Sequence, residues 1–251
     1  MTDQFDLLGV NISNIDRKRT LAIVHAHCKA GKGGYICFCN VHTTVMARRD
    51  PKYCYILNQA FLRAPDGKPI YWIGRLKGNS AVQQVAGPDF FEDCFSASEG
   101  LGLKHYLYGG QPDMLENLVK MLKMRYPKAK VVGWEAPPFR PLTVDEEQEM
   151  HERIQQKKPD LIWVGLGAPK QELWMSRHAE SLQPAVLLGV GAAFDFHAGA
   201  ISRAPKWMRR LGLEWFHRLT QEPQRLLRRY VVTNTLFLWY VLIDLINRWR
   251  N

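Results

Sequence analysis

Disulfide chemistry has little to work with in this chain. Its 251 residues include five cysteines, Cys28, Cys37, Cys39, Cys54 and Cys94, an odd number with no Cys-x-x-Cys pair. That usage fits reduced thiols in a cytosol rather than a disulfide scaffold. Cys37, Cys39 and His42 come nearest to a metal set, but their spacing departs from the zinc rules. Neither an Asp-x-Asp pair nor a His-x-x-x-His pair is present to hold a divalent ion. The P-loop and the full dinucleotide fingerprint are missing too. The expectation is therefore no metal and no cofactor. The opening residues are polar and no apolar h-region follows, so no secretory leader is expected. The longest apolar run, residues 236–246, is broken by Asp244. It falls short of the ~20 residues that span a bilayer. Low-complexity tracts are absent, and the length suits one large domain or two small ones.

Positive charge is abundant, and most of it sits at one end. The net charge is +10. Residues 201–251 hold ten Lys/Arg against Glu214, Glu222 and Asp244, which accounts for +7. Arginines interleaved with Trp, Phe and Leu describe a surface that meets an anionic bilayer. The expected form is an interfacial helix, with a buried core helix or a short transmembrane helix as the alternatives. Exposed apolar patches of this kind also favour self-association away from lipid. The division expected is an α/β core over residues 1–200 and a basic, apolar appendage over 201–251.

Before that appendage, apolar runs alternate with helix-like stretches. Residues 5–12 form the first run. A helix capped near Asn14 or Asp16 follows, with Leu21, Val24, His25 and Cys28 at helical spacing. Residues 35–39 read as a buried strand, with Cys37 and Cys39 on one face, ending at Asn40. Residues 43–60 read as a helix that Pro51 kinks or divides. Residues 61–64 read as a short strand stopping at Pro65-Asp66-Gly67. The rhythm then repeats: a strand at 105–108, a helix at 112–125, a strand at 129–134 and a helix at 143–157 with a Thr143/Glu146 capping box. A strand at 160–165, a helix to about Leu182 and a strand at 185–190 complete it. This is an α/β, Rossmann-like pattern with a largely parallel sheet, flanking helices and a basic amphipathic helical appendage.

In such sheets ligands bind beyond the carboxyl ends of the strands. Asn40, Asp66, Gly109 and Gly110, residues 165–171 and residues 189–195 should therefore share one rim. The Gly109-Gly110 turn allows close approach of a ligand to a helix N-terminus, and a plain strand-to-helix turn explains it equally well. Gly165 and Gly167 free the backbone ahead of Pro169, with Lys170 and Gln171 expected to face outward, toward a phosphate and a sugar hydroxyl. Asp66 is either a turn residue or a carboxylate offered as a general base. Asp195, between Phe194 and Phe196, needs a partner if buried, and Arg203 is the expected one.

Taken together, Pro65-Asp66-Gly67, Gly165-Leu-Gly-Ala-Pro-Lys-Gln-Glu172 and the long run from Gly189 through Arg203-Ala-Pro-Lys-Trp207, Arg218, Glu222-Pro223, Arg225 and Arg229 to Asn234 resemble the WecG/TagA/CpsF family of bacterial glycosyltransferases. The likeness runs from about Gly9 to Asn234. It implies a Rossmann-like core with a C-terminal appendage. The implied activity is inverting, metal-independent transfer from a UDP-sugar donor to a polyprenyl-diphosphate-linked sugar acceptor. The implied place is the cytoplasmic face of the bacterial inner membrane, as a peripheral protein. By the same likeness Asp66 is the catalytic base, and Asn40 and Gln171 lie near the sugar. Arg218, Arg225 and Arg229 complete the site over the diphosphates. Two departures, Phe38-Cys39 in place of Thr-Pro and Gln84 in place of an arginine, are both expected beside the hexose. An inactive membrane-bound scaffold is the alternative reading. Nucleic acid, which would also attract a basic tail, is not the expected partner.

Overall fold

The computed structural model describes residues 3–250, with side chains through Asn247. The first apolar run, residues 5–12, lies in a hairpin of β1 (Gln4–Leu7) and β2 (Val10–Ser13). The turn is made by Leu8 and Gly9 at φ of 57° and 91°. Helix α1 (Arg17–Lys29) starts at Asp16, whose carboxylate accepts from the Arg19 N–H. Strand β3 (Gly34–Cys39) follows, and Pro51 divides the next segment fully into α2 (Val41–Arg49) and α3 (Pro51–Gln59). Asp50 caps α3 through Lys52 and Tyr53. Then come β4 (Leu62–Pro65) and two helices absent from the sequence reading, α4 (Lys68–Leu76) and α5 (Gly87–Leu101). The remainder is β5 (Lys104–Gly109), α6 (Pro112–Arg125), β6 (Lys130–Glu135), α7 (Val144–Lys157), β7 (Leu161–Gly165), α8 (Lys170–His178) and β8 (Val186–Gly189). The expected Thr143/Glu146 capping box opens α7. Two short helices, α9 (Ala193–His197) and α10 (Lys206–Arg210), precede α11 (Glu214–Gln221) and α12 (Pro223–Arg250).

Six strands form one parallel sheet in the order β4-β3-β8-β7-β5-β6. The chain goes outward from β3 to β4, crosses to β5 and β6, and returns through β7 to β8. Parallel strands buried on both faces alternate their side chains between two cores. Tyr35, Cys37 and Cys39 join Tyr53, Leu57, Met150 and Met175 on one face. Ile36 and Phe38 join Phe90, Phe91, Leu115 and Phe194 on the other.

Helix α12 is longer than the apolar run that announced it. Its Pro223–Asn247 part is long and apolar enough to cross a membrane by length and composition. Thr233 is no breaker, because its hydroxyl donates to the Arg229 carbonyl one turn back at 2.7 Å. One stripe is docked onto the core: Leu226 and Phe237 are buried, and Leu236, Tyr240 and Val241 pack against the first cluster. The Arg48 guanidinium stands 6.0 Å over the Tyr240 ring. Leu238, Trp239, Leu242, Leu245 and Ile246 face outward.

Candidate functional site

Strands β3 and β4 pair in register, Cys39 opposite Pro65, so Asn40 and Asp66 leave the sheet side by side. The Asp66 N–H donates to the Cys39 carbonyl at 2.8 Å, and the Val85 N–H donates to the Pro65 carbonyl at 2.8 Å. Gly67, at φ of 90°, turns the chain sharply into α4 where another residue would be strained. Asn40 caps α2: its Oδ1 accepts from the His42 and Thr43 N–H groups at 3.0 and 3.2 Å. That fixes the amide, and its side chain approaches the Asp66 carboxyl and favours the charged form.

Asp66 is half-buried, and its surroundings disfavour ionisation. Burial is the first cause, followed by the negative charge of Glu214, with Asp89 adding to it. Asn40 and Arg203 oppose them, and the balance lifts the carboxyl to about 7. An aspartate placed so is a far stronger base than an exposed one. Arg203 holds the two neighbouring acids together: it reaches Asp89 at 2.5 Å and Glu214 at 3.2 Å. This overturns the expected Arg203–Asp195 pair. Asp195 lies instead within the field of Arg218 and Arg225, while burial raises its pKa.

A cavity of about 610 Å³ opens next to this group. Asp89, Lys68 and Gln84 line it, and its cationic wall from the C-terminal segment is Lys206, Arg209 and Arg210. Neither Asp66 nor Arg218, Arg225 and Arg229 line it; Asp66 lies within the electrostatic reach of Asp89 and Arg203. Of the two sequence departures, only Gln84 faces this space. Phe38 and Cys39 are buried, 4% and 0% exposed, in opposite core clusters.

Arg218, Arg225 and Arg229 form a second cationic group. Arg218 stands 5.3 Å over the Phe196 ring and 3.7 Å from Glu222, to which Arg225 also pairs at 2.5 Å. Arg229 lies close to α2. Burial, then the Arg229 charge, pushes His42 down to about 4. The Nε atoms of Arg218 and Arg229 and Nδ1 of His42 are buried without a hydrogen-bond partner. Such orphaned groups are what an anionic ligand would satisfy.

The glycines at the strand ends are required by packing. A Cβ at Gly109 would lie 2.7 Å from the Gly165 carbonyl carbon, and one at Gly165 would lie 2.4 Å from the Phe194 ring. A Cβ at Gly110 would meet Met114 Cε at 2.2 Å. Gly167, at φ of 74°, faces open space, and Lys170 beside it is exposed. Gln171 does not face outward as expected. It is 5% exposed, with Nε2 donating to the Gly189 carbonyl at 2.9 Å and to Glu172 at 2.8 Å. Its Oε1 is left buried and without a partner. The sequence reading did not place Asp89, Glu214, Lys68, Arg209 or Arg210 at the site, and it weighed His42 only as a metal ligand. An acid in the first turn after Gly87-Pro88 was the available signal for Asp89, since a helix N-terminus favours negative charge. Among the described residues no group of three or more His, Cys, Asp or Glu side chains is placed to hold a metal ion.

Comparison with known proteins gives two concordant findings. A family model described as "Glycosyl transferase WecG/TagA/CpsF family" matches residues 5–251. A Bacillus subtilis (strain 168) protein named N-acetylglucosaminyldiphosphoundecaprenol N-acetyl-beta-D-mannosaminyltransferase is 31% identical over 193 residues, covering 77% of this chain and 73% of its own. A Bacillus spizizenii protein of the same name is 26% identical over 214 residues, covering 84% of this chain and 81% of its own.

Proposed function

The chain belongs to the WecG/TagA/CpsF family and is a glycosyltransferase, and from that premise we propose that it moves a hexose or N-acetylhexosamine from a UDP-sugar to a polyprenyl-diphosphate-linked sugar. The transfer proposed is metal-independent and inverts the anomeric centre. Asp66 takes the proton from the acceptor hydroxyl as that oxygen attacks C1 of the donor sugar, and the C1–O bond to UDP breaks with UDP as the leaving group. The half-buried Asp66 carboxyl, set beside Asn40 at the carboxyl end of β4, is the observation that carries this reading; burial and the charges of Glu214 and Asp89 push it up to about 7. Base assistance is most effective when the base titrates near the working pH. Arg218, Arg225 and Arg229 are assigned to the charge that develops on the departing diphosphate. Gln171, with Nε2 occupied and Oε1 unpartnered, is assigned to accept from a sugar hydroxyl or amide N–H.

The work is assigned to the cytoplasmic face of the membrane, on lipid-linked intermediates of cell-surface polysaccharide. There α12 lies in the interface with its undocked stripe in lipid, because the opposite stripe is held by α2. Residues 1–200 supply the core and 201–251 the appendage that carries the arginines. With the lipid-facing stripe out of lipid, a second copy is its natural cover.

The test is a panel of UDP-sugars against a prenyl-diphosphate-GlcNAc acceptor, reading UDP release and the anomeric coupling of the product by NMR. The expected outcome is acceptor-dependent UDP release that survives chelator, with a product of inverted configuration. Release that needs an added divalent ion, or retained configuration, would remove the mechanism while leaving the family intact.

A further inference from the structure

We infer that the basic cavity between α4 and α10 is a binding site for an isoprenoid diphosphate, the diphosphate inside and the hydrocarbon leaving over the rim of the same two helices. The inference rests on the transfer reading above for its substrate class, and on the cavity itself for its residues.

Six cations, Arg17, Lys68, Arg75, Lys206, Arg209 and Arg210, line about 610 Å³ together with the one carboxylate of Asp89, and Arg17 is also paired with Asp93 outside the lining at 2.5 Å. The Asp89 carboxylate is already shared by Arg17, Arg203 and Arg209 at 3.8, 2.5 and 3.1 Å. Lys68, Arg75, Lys206 and Arg210 have no ion pair among the described residues. Arg209 Nε is buried and without a partner. A cavity with this excess of cations favours an anion over a neutral or cationic ligand.

The rim tells which anion. Just beyond α10, Gly212 passes Lys68 and Trp72 of α4; a Cβ there would lie 2.9 and 3.2 Å from them. Beside the cations, Trp72 and Leu76 of α4, Trp207 of α10 and Leu211 at its C-cap are exposed, at 48, 84, 59 and 60%. A free phosphate has no use for four bare apolar side chains, and a nucleobase could stack on the two tryptophans but not use Leu76 and Leu211 as well. A molecule with a diphosphate head and a hydrocarbon tail uses both. Asp89 is at once a wall of the cavity and a group close enough to raise the Asp66 carboxyl. A head group held there leaves its attached sugar close to the candidate base. Arg218, Arg225 and Arg229 do not line the cavity and form a separate cationic group, with only Glu222 paired to it among the described residues.

The test compares wild type with Lys206→Glu/Arg210→Glu and, separately, with Trp72→Ser/Leu76→Ser, all exposed positions that tolerate change in the fold. Farnesyl diphosphate is titrated against each full-length protein, with inorganic diphosphate, UDP and vesicles of phosphatidylglycerol as parallel probes. The expected result is that charge reversal weakens farnesyl diphosphate by about tenfold or more and leaves UDP unchanged. The Ser variants should weaken farnesyl diphosphate while leaving inorganic diphosphate unchanged. In turnover, the acceptor KM rises and the donor KM does not. Four results would overturn the inference. They are no farnesyl diphosphate binding by wild type, equal loss of UDP, a loss confined to vesicle binding, or a rise in donor KM alone. A selective loss of farnesyl diphosphate in a protein that transfers no sugar would uphold the cavity and reject the transfer reading.

Discussion

The sheet and the C-terminal segment treat apolar surface in opposite ways. From β3 to β8, alternate residues of every strand but the edge strand β6 disappear into one core or the other, and Tyr108, Trp163 and Leu188 end with 1% exposure or less. After residue 205 the rule reverses. More than half of the large apolar side chains exposed among the described residues fall in this last part, with only Leu226, Thr233 and Phe237 of it buried. The charge divides in the same way, with seven of the net ten positive charges beyond residue 200. The sheet is built to be stable on its own contacts. The segment is built to be completed by something else, and it is joined to the sheet through Arg203, Leu226 and Phe237. Stability and activity should therefore respond to different halves of the sequence, except at those joints.

The sharpest test of that division is Asp66→Asn. Transfer should fall by about 10²–10⁴-fold with UDP affinity, read by calorimetry, unchanged. A near-normal rate would deny the sheet its chemical role. Next in size is Phe237→Ala, expected to cost about 3–5 kcal/mol in urea unfolding, as for a buried phenylalanine. Trp239→Ser, on the outward stripe of the same helix, should stay within about 0.5 kcal/mol and weaken vesicle binding instead. If both substitutions leave the unfolding midpoint alone, α12 is a loose tail and not a docked helix. A third measurement concerns Arg229→Gln, which should raise the donor KM by about tenfold with little effect on unfolding.

The smallest expected effect is on pH dependence. Burial and the charge of Glu214 push the Asp66 carboxyl up from 3.8 to about 7, so kcat/KM should rise with pH to a plateau above that midpoint. Glu214→Gln removes a like charge and should move the midpoint down. The sign for stability is the reverse of the usual aspartate. The folded form holds the proton more tightly than the unfolded one, so stability falls as pH rises from about 4 to about 7. Asp66→Asn lacks that loss, and its melting temperature at pH 8 should exceed that of the parent protein.

Much of this is legible in the sequence. Helix 112–125 and the Thr143/Glu146 cap lie where periodicity and capping chemistry put them, because both are local signals. Asp66 was legible as a turn residue after a strand, although its raised pKa was not, since Glu214 and Asp89 are distant in sequence. Helices α4 and α5 escaped notice because Pro69, Gly74, Gly78 and Pro88 punctuate that stretch and neither helix has a side-chain cap. Gln171 seemed a solvated rim residue; a carbonyl on β8 and the neighbouring Glu172 draw it inward. The Gly109, Gly110 and Gly165 turns suggested a ligand's approach, and the rings and methyls they accommodate belong to the protein itself. Sheet order, set by tertiary packing, has no local signature.

One consequence of the Glu214 contact concerns the order in which the polypeptide is completed. The carboxyl at position 66 leaves the ribosome long before its raising partner at 214 does. Until the later residues arrive and Arg203 clamps them in place, position 66 lacks that contribution to its basicity. A fragment cut short of Glu214 would carry a weaker base at the same spot.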